Sequence, residues 1–208
     1  EILGQDSVDV MVVRDGQQYA GPDPTTVGAA KALSSEGYTI LVRQAEKHNE
    51  ELEALAMAFK DDFHAPVTIH IYATPAGKHG FSWHYDAEEV FIMQTSGQKE
   101  YSLRKNTVNP WPLIETIPKN MGYESEVMPL MRVLLSAGDW LYIPCGYWHK
   151  AEAHKSDETA ISLALGVMSP SAIDIYNYLR ARLLDSLLWR QRLPVNDATS
   201  TLSYDELV

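Results

Sequence analysis

From Val67 to Val167 the chain is cut into short, apolar and β-branched runs by closely spaced turn residues, and this pattern constrains the fold more than any other feature of the sequence. Residues 67–72, 82–86, 89–95, 99–104, 132–135, 140–144, 148–150 and 159–167 each have strand length and strand composition. Pro75-Ala76-Gly77, Ser96-Gly97-Gln98, Gly138-Asp139 and Gly146 supply the turns between them. Several short strands at this spacing predict a double-sheet jelly roll.

Ahead of this region the order is strand, helix, strand, helix. Residues 8–13 read as an edge strand, and Gly21-Pro22-Asp23-Pro24 as a loop. Thr25 or Thr26 then caps a short helix that runs to Ser35 and ends at Gly37. Residues 38–42 form a strand, and residues 49–61 carry Leu52, Leu55, Ala56 and Phe59 at the spacing of an amphipathic helix. After the last strand, Ser169-Pro170-Ser171 opens a final helix, with Ser171 and Asp174 spaced as a capping box. Its apolar stripe, Ile173, Tyr176, Leu179, Leu183, Leu187 and Leu188, spans about five turns. The stripe either packs on the outside of the barrel or forms a homodimer surface. The expected division is therefore a barrel with helical decoration over residues 1–168 and a helical appendage over 169–208. Residues 109–129 are proline-rich and too long for a hairpin, which suits a lid or rim. The chain from Asn196 onward reads as loosely ordered.

Charge and cysteine content narrow the classes of partner. The formal net charge is −11 and no basic stripe appears, which argues against nucleic acid as the main partner. Cys145 is the one cysteine, so no internal disulfide forms and a reducing compartment fits. No apolar run approaches the ~20 residues needed to span a bilayer, and no signal-peptide pattern opens the chain at Glu1. The expectation is a soluble, cytoplasmic protein with no membrane partner.

One constellation carries chemistry. His84 and Asp86 are separated by one residue, which on a strand puts both side chains on one face. A histidine from another strand, His149, completes a two-His, one-carboxylate set of the kind that holds Fe(II) and leaves coordination positions open. By the same alternation His70 and Tyr72 share a face. His48, His64, His79 and His154 have no partner pattern and read as surface or helix-end residues. Cys145 has no constellation of a nucleophile around it. Trp83, Trp111 and Trp148 suit either an apolar rim over the metal or ordinary packing. No phosphate-binding glycine loop and no cysteine-pair zinc site is present in the sequence.

The run Gly138-Asp139-Trp140-Leu141-Tyr142-Ile143-Pro144-Cys145-Gly146-Tyr147-Trp148-His149 resembles the JmjC/cupin oxygenases, and within them the bacterial cupin-4 group that includes ribosomal oxygenases. Pro75-x-Gly77-x-x-Gly80-Phe81-x-x-His84-Tyr85-Asp86 and Val90-Phe91-x-x-Gln94-x-x-Gly97-x-Lys99 are similar to the strands before and after the first two ligands in that group. The resemblance extends loosely from Gly37 to Val167. It implies a mainly β (α+β) fold, a double-stranded β-helix with flanking helices and a C-terminal helix. It also implies Fe(II) held by His84, Asp86 and His149, with O₂ and 2-oxoglutarate as cosubstrates. Lys99 falls where the family places the cation that pairs with the distal carboxylate of 2-oxoglutarate. Tyr72 and Ser162 fall in the same pocket, and His70 stands where the family commonly has Asn. The implied activity is hydroxylation of a protein or peptide side chain, such as an Arg or His of a ribosomal protein. The chain is short for the separate winged-helix domain of the ribosomal oxygenases. Two alternatives stay open: a hydroxylase of a small molecule or natural product, and a metal-binding cupin that does not use 2-oxoglutarate.

Overall fold

The structure, a computed structural model, describes residues 2–5, 7–118, 121, 128–155 and 158–192. The expectation for the chain beyond Asn196 lies outside the described residues, as do residues 119–120 and 122–127 of the proline-rich excursion. The chain divides into two compact units, Glu1–Ser169 and Pro170–Val208.

The first unit opens with β1 (Asp9–Arg14), the two-residue β2 (Gln17–Gln18), α1 (Val27–Ser35) and β3 (Thr39–Arg43). The Thr26 hydroxyl caps α1 by accepting from Ala29 N, and Gly37 leaves the helix at φ +92°. A 3-10 turn (Ala45–His48) leads into α2 (Glu50–Phe63), which Asn49 caps through Leu52 N. Glu50, Glu51 and Glu53 place negative charge in the first turn, where the helix dipole favours it. The remaining strands are β4 (Val67–Thr74), β5 (Glu89–Ser96), β6 (Lys99–Arg104), β7 (Met131–Leu135), β8 (Trp140–Ile143), β9 (Trp148–Ala153) and β10 (Ala160–Val167).

Two antiparallel sheets result, one in the order β2-β1-β3-β4-β10-β5-β8 and one in the order β7-β6-β9. Non-consecutive strands lie side by side at β1-β3, β4-β10, β10-β5, β5-β8 and β6-β9, the crossovers of a jelly roll. β1 is not the edge strand its composition suggested, because β2 pairs beyond it. Residues 82–86 do not form the expected strand. They make one isolated bridge, His84 to His149, with His84 N donating to His149 O at 3.1 Å and His149 N to His84 O at 2.8 Å. Pairing stops there because Gly146 N, not a strand partner, takes the Asp86 carbonyl at 2.9 Å.

The face between the sheets packs Val90, Ile92, Tyr101, Leu103, Leu135 and Ile143. On the outer face, α1 covers β1 and β3 through Ala30, Val10, Val12 and Ile40. α2 covers β4 and β10 through Ala56, Ile69 and Leu165, with Phe59 packed edge-on to Phe91 of β5. Covering the outer face leaves the interior of the barrel free to be partly open.

In the second unit α3 (Ala172–Leu184) begins with the capping box expected at Ser171 and Asp174. The helix is shorter than its apolar stripe, and Leu187 and Leu188 lie in turns beyond it. Asp185 and Ser186 end it, since both residue types favour caps and turns over helix interior. No residue of α3 is buried.

Candidate metal centre

The inner row of β10 is Ser162, Ala164 and Gly166, three small residues in alternate positions. Tyr72 of β4 and Gln94 of β5 flank Ser162, His70 and Ile92 flank Ala164, and Thr68 and Val90 flank Gly166. On the facing sheet Lys99 pairs with Ala153, Tyr101 with Ala151 and Leu103 with His149. The small side chains of β10 and of Ala151 leave a cavity of about 260 Å³ between the sheets, with Lys99 towards one end and His84, Asp86 and His149 at the other.

At the second end, one ligand atom from each of His84, Asp86 and His149 lies within 4.8 Å of the others. Both imidazoles are oriented by backbone carbonyls: His84 Nδ1 lies 2.8 Å from Ser82 O and His149 Nδ1 lies 3.0 Å from Tyr147 O. A carbonyl only accepts, so each Nδ1 carries a proton, which leaves Nε2 as the nitrogen free to ligate. Burial, and then the neighbouring His84, pull His149 down to about 4, so its ring is neutral at physiological pH. His149 Nε2 faces Asp86 Oδ2 at 3.5 Å. These residues fit a divalent metal: two imidazole lone pairs and a carboxylate converge, and carbonyls hold the ring tautomers that ligation needs.

The chain around the cluster is braced. Tyr85, between two of the ligand residues, is buried and packs edge-on to Trp148 with ring centroids 4.7 Å apart. Asn109 Nδ2 donates to the Tyr85 hydroxyl at 3.4 Å, which ties the start of the excursion to this segment. Gly146 has φ +77°, and a Cβ there would meet Pro110 O at 2.5 Å.

At the opposite end Lys99 is 5% exposed and donates to Ser162 Oγ at 3.5 Å, with its ammonium 5.2 Å from the Tyr72 ring and 5.8 Å from that of Tyr101. No carboxylate pairs with it among the described residues. Burial pulls it down to about 8, so it is charged at neutral pH. Tyr72 and Tyr101 are pushed well above the usual phenol range, again first by burial, and stay neutral. Ser162 is fully buried behind Lys99 and is also hydrogen-bonded to Tyr101.

His70 lines the cavity between the two ends. Gln44 N donates to its Nδ1 at 3.2 Å, and burial lowers its pKa. The ring is therefore neutral with its proton on Nε2, a donor rather than a fourth ligand. Gln44 achieves this in a left-handed conformation (φ 52°), and Glu46 of the same turn accepts from Ile69 N at 2.8 Å, so the turn grips β4 on both sides.

The other residues noted in the sequence do not join the centre. Trp148 is buried, Trp111 is 83% exposed, and neither these two nor Trp83 lines the cavity among the described residues, so no tryptophan rim forms. Burial, and then Glu89, push Cys145 up to about 11, and its Sγ lies 3.7 Å from Asp86 O. His79 pairs with Asp15 at 3.3 Å, His64 ends α2, His48 ends the 3-10 turn and His154 is exposed. Three titratable cavity residues escaped the sequence reading: Arg43, Tyr101 and Glu88. Arg43 and Tyr101 continue the alternation of inward residues along β3 and β6. Glu88 continues the i, i+2 series begun by His84 and Asp86. Burial, and then Asp86, push Glu88 up to about 7.

Two antiparallel sheets that enclose a His-x-Asp pair and a distant His define a jelly roll with one cluster of metal-ligand type. The chain belongs to the JmjC-domain family, whose profile matches residues 40–175. It is 37% identical over 120 residues to the bifunctional lysine-specific demethylase and histidyl-hydroxylase NO66 of Dictyostelium discoideum, covering 56% of this chain and 23% of that one. It is 30% identical over 150 residues to the protein of the same name from Drosophila grimshawi, covering 70% and 20%. The chain thus spans about a quarter or less of these curated relatives. The ribosomal oxygenase YcfD of Escherichia coli, in complex with cobalt and 2-oxoglutarate, matches 99% of this chain and 54% of its own at TM-score 0.62 and 20% identity, a likeness of fold.

Proposed function

We propose that this chain is an Fe(II)- and 2-oxoglutarate-dependent oxygenase that hydroxylates a side chain of a protein or peptide. The observation that carries the reading is the pairing, in one cavity, of a two-His, one-Asp lone-pair cluster with a buried ammonium that has no carboxylate of its own. His84, Asp86 and His149 would hold the iron. Lys99 would receive the distal carboxylate of 2-oxoglutarate, with Ser162 behind it and the Tyr72 ring beside it. When bound, iron and cosubstrate supply O₂ activation coupled to decarboxylation of 2-oxoglutarate to succinate and CO₂.

The chain's own residues bind, orient and exclude water. Lys99 neutralises one charge of a dianion in a site whose apolar walls strengthen the interaction. His70, with its tautomer set by Gln44, offers an Nε2–H donor midway along the cavity. Ser162 and Tyr101 hold Lys99 from behind, so its stem does not sweep the cavity.

The names of the NO66 relatives describe lysine demethylation and histidine hydroxylation, and YcfD is a ribosomal oxygenase. These support a protein substrate over a small molecule. We place the protein in the cytoplasm; among the described residues no helix is long and apolar enough to cross a membrane. We also assign α3 and the turns after it to a homodimer contact, since Leu179, Leu187 and Trp189 are more than half exposed.

Anaerobic titration of metal-free protein with Fe(II), with and without 2-oxoglutarate, tests the reading. A visible charge-transfer band that needs both components is expected. Iron that binds without producing the band would move the assignment to a cupin that does not use this cosubstrate.

A further inference from the structure

Among the described residues Glu88 is the one cavity carboxylate outside the ligand cluster. Its carboxyl lies 2.5 Å from the point where a Cβ on Gly166 would stand, so it occupies the space of a missing side chain on the inner row of β10. It is half-buried, and no hydrogen bond or ion pair reaches it among the described residues. The charged group that bears on it, Asp86, has the same sign. Of the cavity's two cations, Arg43 is held by Asp9 at 2.7 Å on β1, and Lys99 is at the other end.

A carboxyl kept partly out of water without a donor costs the fold free energy that no internal contact returns. Gly166 is what makes room for it. Glu88 stands two positions after Asp86 at a bend in the chain, and both line the same cavity, so whatever it binds is held near the ligand cluster. It lies on the metal side of the cavity, away from the Lys99 end, where an entering side chain rather than the cosubstrate's distal carboxylate would meet it.

We propose that Glu88 is a specificity-determining residue: its carboxyl receives a cationic N–H donor, a guanidinium, imidazolium or ammonium, on the substrate side chain that enters the cavity, and fixes how far that side chain reaches towards the metal cluster. This rests on the oxygenase reading above. The contact is a charge-assisted hydrogen bond, bidentate with a guanidinium, and it discriminates against neutral isosteres.

The test uses protein loaded with Zn(II), which fills the cluster without redox chemistry. Calorimetric titrations compare the N-acetyl methylamides of arginine, histidine and lysine with that of citrulline, the neutral isostere of arginine. At least one cationic probe is expected to bind about tenfold more tightly than citrulline, and Glu88→Gln to erase the difference. No preference in the wild type, or a preference that survives Glu88→Gln, overturns the proposal. The anaerobic Fe(II)–2-oxoglutarate band is recorded on both proteins, and it is expected to be the same in each. Loss of the band in Glu88→Gln alone would make Glu88 part of the metal and cosubstrate machinery and overturn its assignment to substrate. Absence of the band from both would sink the oxygenase reading, and the Glu88 assignment would then stand or fall on the probe titration.

Discussion

His149 Nε2 and Asp86 Oδ2 face each other across 3.5 Å, and Nε2 presents a lone pair to the carboxylate oxygen. The imidazole is neutral and its one proton is committed to Tyr147 O through Nδ1. Two lone pairs held this close repel unless a cation lies between them. Fe(II), or Mn(II) as a redox-inert probe, is therefore expected to raise the melting temperature, and His84→Ala or Asp86→Ala to abolish the rise. Asp86→Asn should act in both directions. Its amide can donate to Nε2, which stabilises the metal-free protein by about 1 kcal/mol, while metal binding is lost. Thermal melts with and without metal check both arms. An Asp86→Asn protein that is less stable than the metal-free wild type would contradict the lone-pair account.

Lys99 sets a pH dependence whose sign follows from burial. Its pKa falls from 10.5 to about 8 in the folded protein, and the facing Tyr72 and Tyr101 are neutral and provide no countercharge. Between those two values the unfolded chain binds the proton and the folded chain does not, so stability from this group rises with pH across the window. Below about 8 the full penalty remains, at most about 3 kcal/mol. Lys99→Met is expected to remove this slope, stabilise the protein at neutral pH and abolish 2-oxoglutarate binding. In the wild type, affinity for 2-oxoglutarate should fall as pH rises past about 8, and binding there should take up a proton. Calorimetry in buffers of different ionisation enthalpy reads that uptake; its absence would place the cosubstrate carboxylate elsewhere.

Local chemistry made much of the fold legible. Thr26 and Asn49 are capping residues by type and do cap, and the strands from β4 to β10 fall where β-branched runs lie between turn residues. What local chemistry could not show is pairing at a distance. Residues 82–86 have strand composition, yet their bonds go to His149 and Gly146, more than fifty residues away, so the segment is held extended without becoming a strand. His84 and Asp86 still converge, because extended backbone alternates its side chains whether or not a sheet is present. Glu88 keeps the same i, i+2 spacing, although the backbone bends at Ala87 and Glu88 and the rule for extended chain does not reach it. Arg43 was hidden differently, as a charge at the end of an apolar strand, where solvent exposure is the ordinary reading. α3 stops at Leu184 because Asp185 and Ser186 interrupt a stripe whose spacing alone continues to Leu188.

The exposed apolar residues of the second unit make oligomeric state a direct measurement. Leu179, Leu187 and Trp189 are 52%, 73% and 67% exposed. Sedimentation over a range of concentrations is expected to give a dimer, and Leu179→Glu combined with Leu187→Glu to give a monomer that retains the Fe(II)–2-oxoglutarate band. A wild type that sediments as a monomer at every concentration would remove the homodimer assignment.

Gly146 carries a mechanical load on the metal centre, and a second glycine provides the control. Its N–H holds the Asp86 carbonyl at 2.9 Å, its φ is +77°, and a Cβ would meet Pro110 O at 2.5 Å. Gly138 is as strained in backbone, at φ +97°, but a Cβ there meets nothing within 4 Å. Gly138→Ala should therefore cost only the backbone conformation, about 1 kcal/mol, and leave metal affinity unchanged. Gly146→Ala adds a collision with backbone, which does not rotate away as a side-chain tip does. The excursion at Pro110 or the turn that carries Asp86 must move, at a cost of about 1–3 kcal/mol. Because that turn fixes Asp86, Gly146→Ala is expected to weaken Fe(II) binding more than its loss of stability accounts for. Chemical denaturation of the metal-free variants, set beside their metal titrations, separates the two effects. If Gly146→Ala binds metal as tightly as Gly138→Ala does, the Pro110–Gly146 contact supports the fold and not the centre.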